Sequence, residues 1–446
     1  MNILNIVIDV IKLIKSQCQD DAEVIVYETI KVLVSQRLSK IEQVLQSKNC
    51  TLGIRIIVNK TKVAYVSTNN LNNLSELVKM VIEMAKSAPE DPYINFAINE
   101  KDDSVFSESL GILDKSIITV DNLKDIAKAT ENSALSYKYI VNSEGASSSY
   151  ILMNTALSTV SGFIGSFSKS IFINQVSVVA REKNEMKVGY DYDLACNFND
   201  LKSPELTGGE AARKAINQLN SRTIKTGKFP VIFEKRAAKE IVKSFASAIN
   251  GTNIISNSSF LGKYLNTKIF NNKINIIDDP SLLKGIESRP FDGEGIISKK
   301  NILVEDGVLQ NWILDLYSSK KLNLKTTGNA IRAHNASIYP MASNFYIENG
   351  SVSFEELIGE VKEGIYITDL FGFGINLVNG NYSQGASGFF IENGKITYPI
   401  HEITVANNLR NMFCDLIVAN DLTFCGQFNS PTIKVNEMTV SGSLGS

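Results

Sequence analysis

The sequence predicts an α+β chain, with mixed sheet-and-helix domains in the N-terminal half and a largely antiparallel β domain after them. Two observations carry this. Segments with apolar residues at helical spacing and segments rich in β-branched and aromatic residues both occur, but they do not alternate regularly, which argues against a doubly wound fold. Residues 364–407 are dense in strand formers and in turn residues, with six glycines from Gly372 to Gly394.

The elements follow in order. Leu4, Val7, Ile8, Ile11 and Ile14 share a helical face, and Asp9, Lys12 and Lys15 interrupt the run, so the start reads as an amphipathic helix and not a signal peptide. Residues 22–28 and 30–36 read as strands, and 51–59 with 62–69 as a hairpin across Lys60-Thr61. Residues 73–88 carry Leu74, Leu77, Val78, Ile82 and Ala85 at helical spacing. The proline-bearing SAPEDPY then marks a linker. A third helix is expected over 119–135, with Thr119 as its N-cap. Residues 139–188 read as several strands and 208–219 as a helix. TGKFP marks the next boundary, which gives units at 1–90, 94–225 and 226–446.

In the third unit, 230–233 is a short strand and 235–249 an amphipathic helix with Ala238, Ile241, Val242, Phe245 and Ile249 on one face. Asn250-Gly251 reads as its C-cap. Beyond Thr267 strands and turns predominate, with one helix over 353–358. Asn393-Gly394 between Ile391 and Ile396 is a type I′ hairpin signal, because both central positions need φ > 0.

Composition bounds the function. The 446 residues carry a net charge of −2, so no basic excess grips a phosphate backbone, and direct nucleic-acid binding is not expected. Five dispersed cysteines without a CxxC pair suit a reducing, cytoplasmic setting. No run reaches the roughly 18 apolar residues of a membrane span.

Several spaced motifs carry a resemblance. They are NSEGASSSY (142–150), SRPFDGEG (288–295), LVEDGVL (303–309), TTGNAIR (326–332) and GNYSQGASGFFIENGKITYPIHEIT (380–404). Together the chain resembles the PmbA/TldE branch of the TldD/PmbA family, zinc metalloproteases also described as modulators of DNA gyrase. The resemblance covers essentially the whole chain. It implies that catalytic relatives carry HExxxH on a helix directly after a strand like 230–233, where two histidines bind zinc and the glutamate acts as general base. The corresponding helix here contains no histidine, and in the register Lys243 to Asn250 it reads KSFASAIN. The resemblance therefore implies a subunit with no catalytic or metal residues of its own and no zinc. Its partner would be a TldD-type HExxxH subunit holding the zinc, and its substrates unfolded and short peptides. Shared fold between paired subunits also allows a homodimer.

The substrate-binding residues expected on this reading are Gly372, Gly374, Tyr382, Ser383 and Gly385. They lie on glycine-rich strands that would offer main-chain groups to an extended peptide by β-augmentation. Phe371, Phe373, Phe389 and Phe390 are candidates for lining the chamber. Other residues of the chain are candidates for other chemistry. A zinc set from His334, His401 and Cys425 uses both histidines of the chain. Cys414 or Cys425 with His401 would make a nucleophile pair. Ser383 is not in a GxSxG elbow. Asp369, Asp292 and Glu294 with Arg289 and Arg332 read as ion pairs holding loops. An independent hydrolase with a rebuilt site and a regulatory or structural module are the alternative functions.

Overall fold

The computed structural model describes residues 2–97, 107–271, 273–333, 337–372 and 374–442, so His334 and Phe373 lie outside the described residues. Helix α1 (Ile3–Gln17) starts at Asn2, whose side chain accepts from the Leu4 amide, and buries Ile6, Val7, Val10, Ile11 and Ile14. It is followed by β1 (Asp21–Arg37), β2 (Lys40–Val58), β3 (Lys62–Thr68) and α2 (Leu74–Ser87). Next come α3 (Val120–Leu135), β4 (Ile140–Thr159), β5 (Ile164–Glu182), β6 (Glu185–Ala195) and α4 (Pro204–Asn217). Thr119 caps α3 in a capping box with Asn122. The two strands expected over 22–36 are one continuous strand.

These strands form one antiparallel sheet in the order β3-β2-β1-β4-β5-β6. Its two faces are sorted by the period of two. Ala22, Val24 and Val26 meet α1 and α2 in one apolar core, while Ile25 and Tyr27 belong to a second cluster with Phe163 and Phe291. Phe291 belongs to the C-terminal half, and its ring meets those of Phe163 and Phe167 edge-on at 5.1 and 5.3 Å.

The C-terminal half opens with β7 (Gly227–Phe233), α5 (Lys235–Ala248) and α6 (Gly251–Ile255). Asn250 is the N-cap of α6, accepting from the Thr252 amide, and not part of a C-cap for α5. Asn suits both ends of a helix, and a second helix begins too soon for the first to unwind. Then follow β8 (Ile276–Asp278), β9 (Asn301–Glu305), β10 (Val308–Leu309), α7 (Leu316–Leu322), β11 (Ala330–Arg332), β12 (Ile338–Pro340) and β13 (Phe345–Ile347). The remainder is α8 (Phe354–Gly359), β14 (Glu363–Phe371), β15 (Ile375–Asn376), β16 (Asn381–Glu392), β17 (Lys395–Asn408), α9 (Leu409–Cys414), β18 (Leu416–Val418), β19 (Phe428–Asn429) and β20 (Ile433–Ser441).

One small sheet runs β10-β9-β8-β13-β19, and β11 pairs β12. The larger sheet runs β14-β7-β20-β17-β16, and β16 pairs back with β14, so these five strands close on themselves. Only β7–β14 in this ring is parallel. The hairpin between β16 and β17 turns at Asn393 and Gly394, with φ of 50° and 74°, as its sequence requires. Helix α5 packs on the barrel through Ala238, Ile241, Val242 and Phe245, in the main core. The fold is α+β, with sheet-and-helix structure first and a β-rich region after it. No helix among the described residues is long and apolar enough to cross a membrane.

Buried charges join the two halves. Glu23 on β1 pairs with Arg55 of β2 at 3.1 Å and with Arg332 of β11. Glu294 lies 3.8 Å from Arg55 and accepts from the Leu316 amide. Burial and the charge of Asp292 push the Glu294 carboxyl well above its usual range. A raised carboxyl contributes stability below its unfolded pKa and loses it as pH rises through the folded one. Glu294→Gln keeps the acceptor and removes that loss. Its melting temperature relative to the parent is therefore expected to increase from pH 5 to pH 8; parallel pH profiles of the two proteins would disprove this.

Candidate functional site

A cleft of about 530 Å³ opens where the N-terminal sheet meets the barrel. Its walls are β6 with Val188, Tyr190 and Tyr192, the end of α4, the first turns of α5, and β14 and β16 with Tyr366, Asp369, Gln384 and Phe389. Strand β6 ends the six-stranded sheet. Its outward Met186, Val188 and Tyr190 are exposed, and the alternate residues pack inward toward α4.

Helix α5 begins at Glu234, whose carboxylate accepts from the Arg236 amide at 2.8 Å. No acid occupies the first turn after this cap, and Lys235 and Arg236 oppose the helix dipole there. Lys235 lies 4.0 Å from Asp421, away from the cleft, and what holds Arg236 is the cleft wall. Arg236 forms an ion pair with the fully buried Asp191 of β6, which also accepts from Lys214 at 2.7 Å. Lys239 donates to the Tyr192 hydroxyl at 2.8 Å. Arg236 and Lys239 lie over the Tyr192 ring at 5.0 and 5.4 Å. The cleft thus offers cations, stacked tyrosines and a sheet edge. Among the described residues no histidine, cysteine or serine lines it.

The segment expected in the place of the zinc motif, Lys243 to Asn250, lies in the second half of α5 and the residues directly after it. Ser244, Phe245, Ala246 and Ala248 lie in or against the core, facing away from the cleft. The α5 positions that reach the cleft come from its start, and the six residues directly after β7 are Glu234 to Lys239. Of these, Glu234, Arg236, Ala237 and Lys239 line the cleft. An ammonium donates and cannot ligate zinc, and Arg236 and Lys239 would repel the ion. Zinc does not fit this cleft. Among the described residues no group of three His, Cys, Asp or Glu side chains could hold a metal ion.

The glycine-rich residues divide. Gly372 lines the cleft at φ 94°, and the Gln384 amide, with its nitrogen turned inward, donates to the carbonyls of Phe371 and Gly372. Gly374 packs so closely that a Cβ would fall 1.4 Å from the Ser383 carbonyl oxygen. At Gly385 a Cβ would meet the Phe371 ring. Tyr382 is fully buried in the core, with no partner for its hydroxyl among the described residues, while Ser383 is exposed. Both edges of β16 are in ladders, with β17 on one side and β14 and β15 on the other. The sheet edge at the cleft therefore belongs to β6, not to the glycine-rich strands. Phe389 lines the cleft, Phe371 is exposed, and Phe390 is in the core.

The remaining candidates are dispersed. His401 on β17 lies 3.6 Å from Glu402. Cys425 lines a different pocket with Cys196, and the Cys414 thiol donates to the Ile269 carbonyl. The expected cluster of Asp369, Asp292 and Glu294 with Arg289 and Arg332 does not form as one unit. Asp369 is in the cleft, while Arg332 pairs with Glu23. Asp292 accepts from the amides of Glu294, Ile296 and Ala330, and Arg289 makes no ion pair among the described residues. Sequence reasoning missed β6, Arg236 and Lys239. The available signal was the pair of cations at a helix start, where the dipole disfavours them.

Comparison with known proteins fits this architecture. Residues 226–442 match the PmbA/TldA metallopeptidase C-terminal domain, residues 22–85 its domain 1 and residues 72–219 its central domain. The chain is 32% identical to the metalloprotease PmbA homolog of Buchnera aphidicola subsp. Acyrthosiphon pisum, across 99% of this chain and 97% of that protein. The chain belongs to the PmbA/TldD metallopeptidase family. Two solved structures share its fold. One is a Bacteroides thetaiotaomicron protein described as a candidate modulator of DNA gyrase, with TM-score 0.87, 24% identity and 98% of each chain covered. The other is TldE from Thermococcus kodakarensis, with TM-score 0.83, 21% identity, and 98% of this chain and 99% of that one covered. In this PmbA/TldD member the cleft is lined by two of the three matched regions, the central and the C-terminal one.

Proposed function

We propose that this chain is the TldE/PmbA-type, non-catalytic subunit of a cytoplasmic TldD/TldE metalloprotease that acts on unfolded and short peptides. The observation that carries the reading is α5, the helix directly after β7, which holds no histidine from Lys235 to Ala248 and presents Arg236 and Lys239 to the cleft. Zinc and the hydrolytic water belong to the HExxxH partner. This subunit contributes a wall of the chamber. An extended peptide adds along the edge of β6, with side chains against Tyr190, Tyr192 and Phe389. Folded proteins, whose edges are already paired, are excluded by access.

The test is zinc content and peptide hydrolysis, measured on the chain alone and after mixing with an HExxxH-bearing relative. Near-zero zinc and no hydrolysis alone, then one zinc per heterodimer with hydrolysis, is the expected result. One zinc per chain alone overturns the reading. So does hydrolysis by the isolated chain that is lost on substituting His401 or Cys425.

A further inference from the structure

Most charged groups in the cleft wall are committed to one another. Arg236 and Lys214 share Asp191, and they also donate to the carbonyls of Tyr192 at 3.3 Å and Tyr190 at 3.4 Å. Glu234 caps α5, Glu240 lies 3.6 Å from Lys243, and Asp369 accepts from the Thr368 hydroxyl at 2.8 Å. Lys239 differs from these. It is half-buried, lines the cleft and makes no ion pair among the described residues. Its ammonium donates to the hydroxyl of Tyr192, another half-buried residue of the cleft wall, at 2.8 Å.

That contact prepares two donors side by side. An ammonium carries three protons, and the bond to Tyr192 uses one. The Tyr192 hydroxyl accepts this bond, so its own proton is left to be donated. The two atoms stand 2.8 Å apart, close enough for the two oxygens of one carboxylate to take a proton from each. A lysine fully in water gains little from such a pair. Lys239 is partly desolvated against the Tyr192 ring, with its ammonium 5.4 Å from the ring centre, which strengthens the bond.

We propose that Lys239 and Tyr192 form a carboxylate subsite in the cleft, which anchors a bound peptide by its terminal carboxylate or by an acidic side chain. A peptide laid along β6 passes both residues, since Tyr192 is on that strand. Glu234, Glu240 and Asp369 elsewhere in the wall repel a peptide of several negative charges, so the subsite favours a single carboxylate. The inference rests on the peptide reading of the cleft and adds to it a substrate preference.

The probe is an N-acetylated pentapeptide of alternating serine and leucine. It is prepared as the free acid, as the C-terminal amide, and as that amide with its central residue changed to glutamate. Each is titrated into the full chain by calorimetry. At least one carboxylate-bearing peptide is expected to bind about tenfold more tightly than the neutral amide. A lead for the free acid identifies the chain terminus as the source, and a lead for the glutamate peptide identifies a side chain. Lys239→Met keeps the stem and removes the charge, and it is expected to bind all three alike. Lys239→Arg keeps the cation and is expected to keep the preference, which separates charge from any disturbance of α5. Tyr192→Phe is expected to weaken the carboxylate peptides about threefold and to leave the neutral amide unchanged. Equal binding of the three peptides by the parent, or a preference that survives Lys239→Met, overturns the proposal. Lys239 is then a solvated helix residue stacked on Tyr192, and the peptide reading stands. Failure of the parent to bind any probe overturns both the subsite and the peptide groove at β6, while zinc content and hydrolysis with the HExxxH-bearing relative still test the subunit reading by themselves.

Discussion

Glu23→Ala is expected to cost about 3–5 kcal/mol of stability, measured by urea unfolding at pH 7. The carboxylate is almost wholly buried between the guanidinium groups of Arg55 and Arg332, and both arginines are themselves buried. Removing it leaves the buried Arg332 with no ion pair among the described residues and Arg55 with only the more distant Glu294, which is the expensive way to break a buried pair. Burial pushes the Glu23 carboxyl up, but the two arginines outweigh it and hold its pKa below the usual range. A depressed carboxyl contributes stability above its unfolded pKa and loses it as pH falls through the folded one. The difference between parent and variant should therefore persist down to about pH 4 and shrink only in stronger acid. A cost under about 1 kcal/mol at pH 7 would place Glu23 with ordinary surface pairs and refute the assignment.

The second large effect is expected at Phe245, which lies on the buried face of α5. Its ring meets Phe270 at 5.1 Å and Phe413 at 5.6 Å, both edge-on, and Phe345 at 6.2 Å. These partners come from segments far apart in sequence, so the cavity left by Phe245→Ala has no single element free to collapse into it. A loss of about 3–5 kcal/mol is expected from the same unfolding measurement. Phe245→Leu, which keeps most of the volume, should recover more than half of it. Equal losses for the two variants would point to backbone disruption in α5 and not to the aromatic cluster.

Much of the fold was legible where the signal is local. The amphipathic face of α1, the Thr119 cap of α3 and the Asn393-Gly394 turn each depend on neighbours within a few residues. Helices α7 and α9 were not legible. They span seven and six residues, too short for a periodic pattern, and are held by caps at Asp315 and Asn408. The first half of β2 was missed because residues 40–49 are polar and largely exposed, with no buried face to print an alternation. The candidate site was hardest to read. Its walls come from residues 188–240 and 366–389, and no local pattern records that β6 stands opposite β14. The glycine-rich stretch was conspicuous, but much of its glycine serves close backbone packing, as Gly374 against Ser383 and Gly388 against Tyr366 make clear.

The closed ring of strands has a consequence for the order of events during synthesis. Strand β7 begins at Gly227, yet one of its ladder partners is β20, where Val440 pairs with Gly227. Until residues 433–441 emerge from the ribosome, β7 and β17 each lack a neighbour, and a nascent chain would carry two open sheet edges flanked by apolar residues. The N-terminal sheet is under no such delay, since all its strands are translated by residue 195. Synthesis thus separates an early-folding half from a late one. For some 200 residues the late half is exposed to edge-to-edge association, which makes the nascent barrel the stage at which a holdase would matter most.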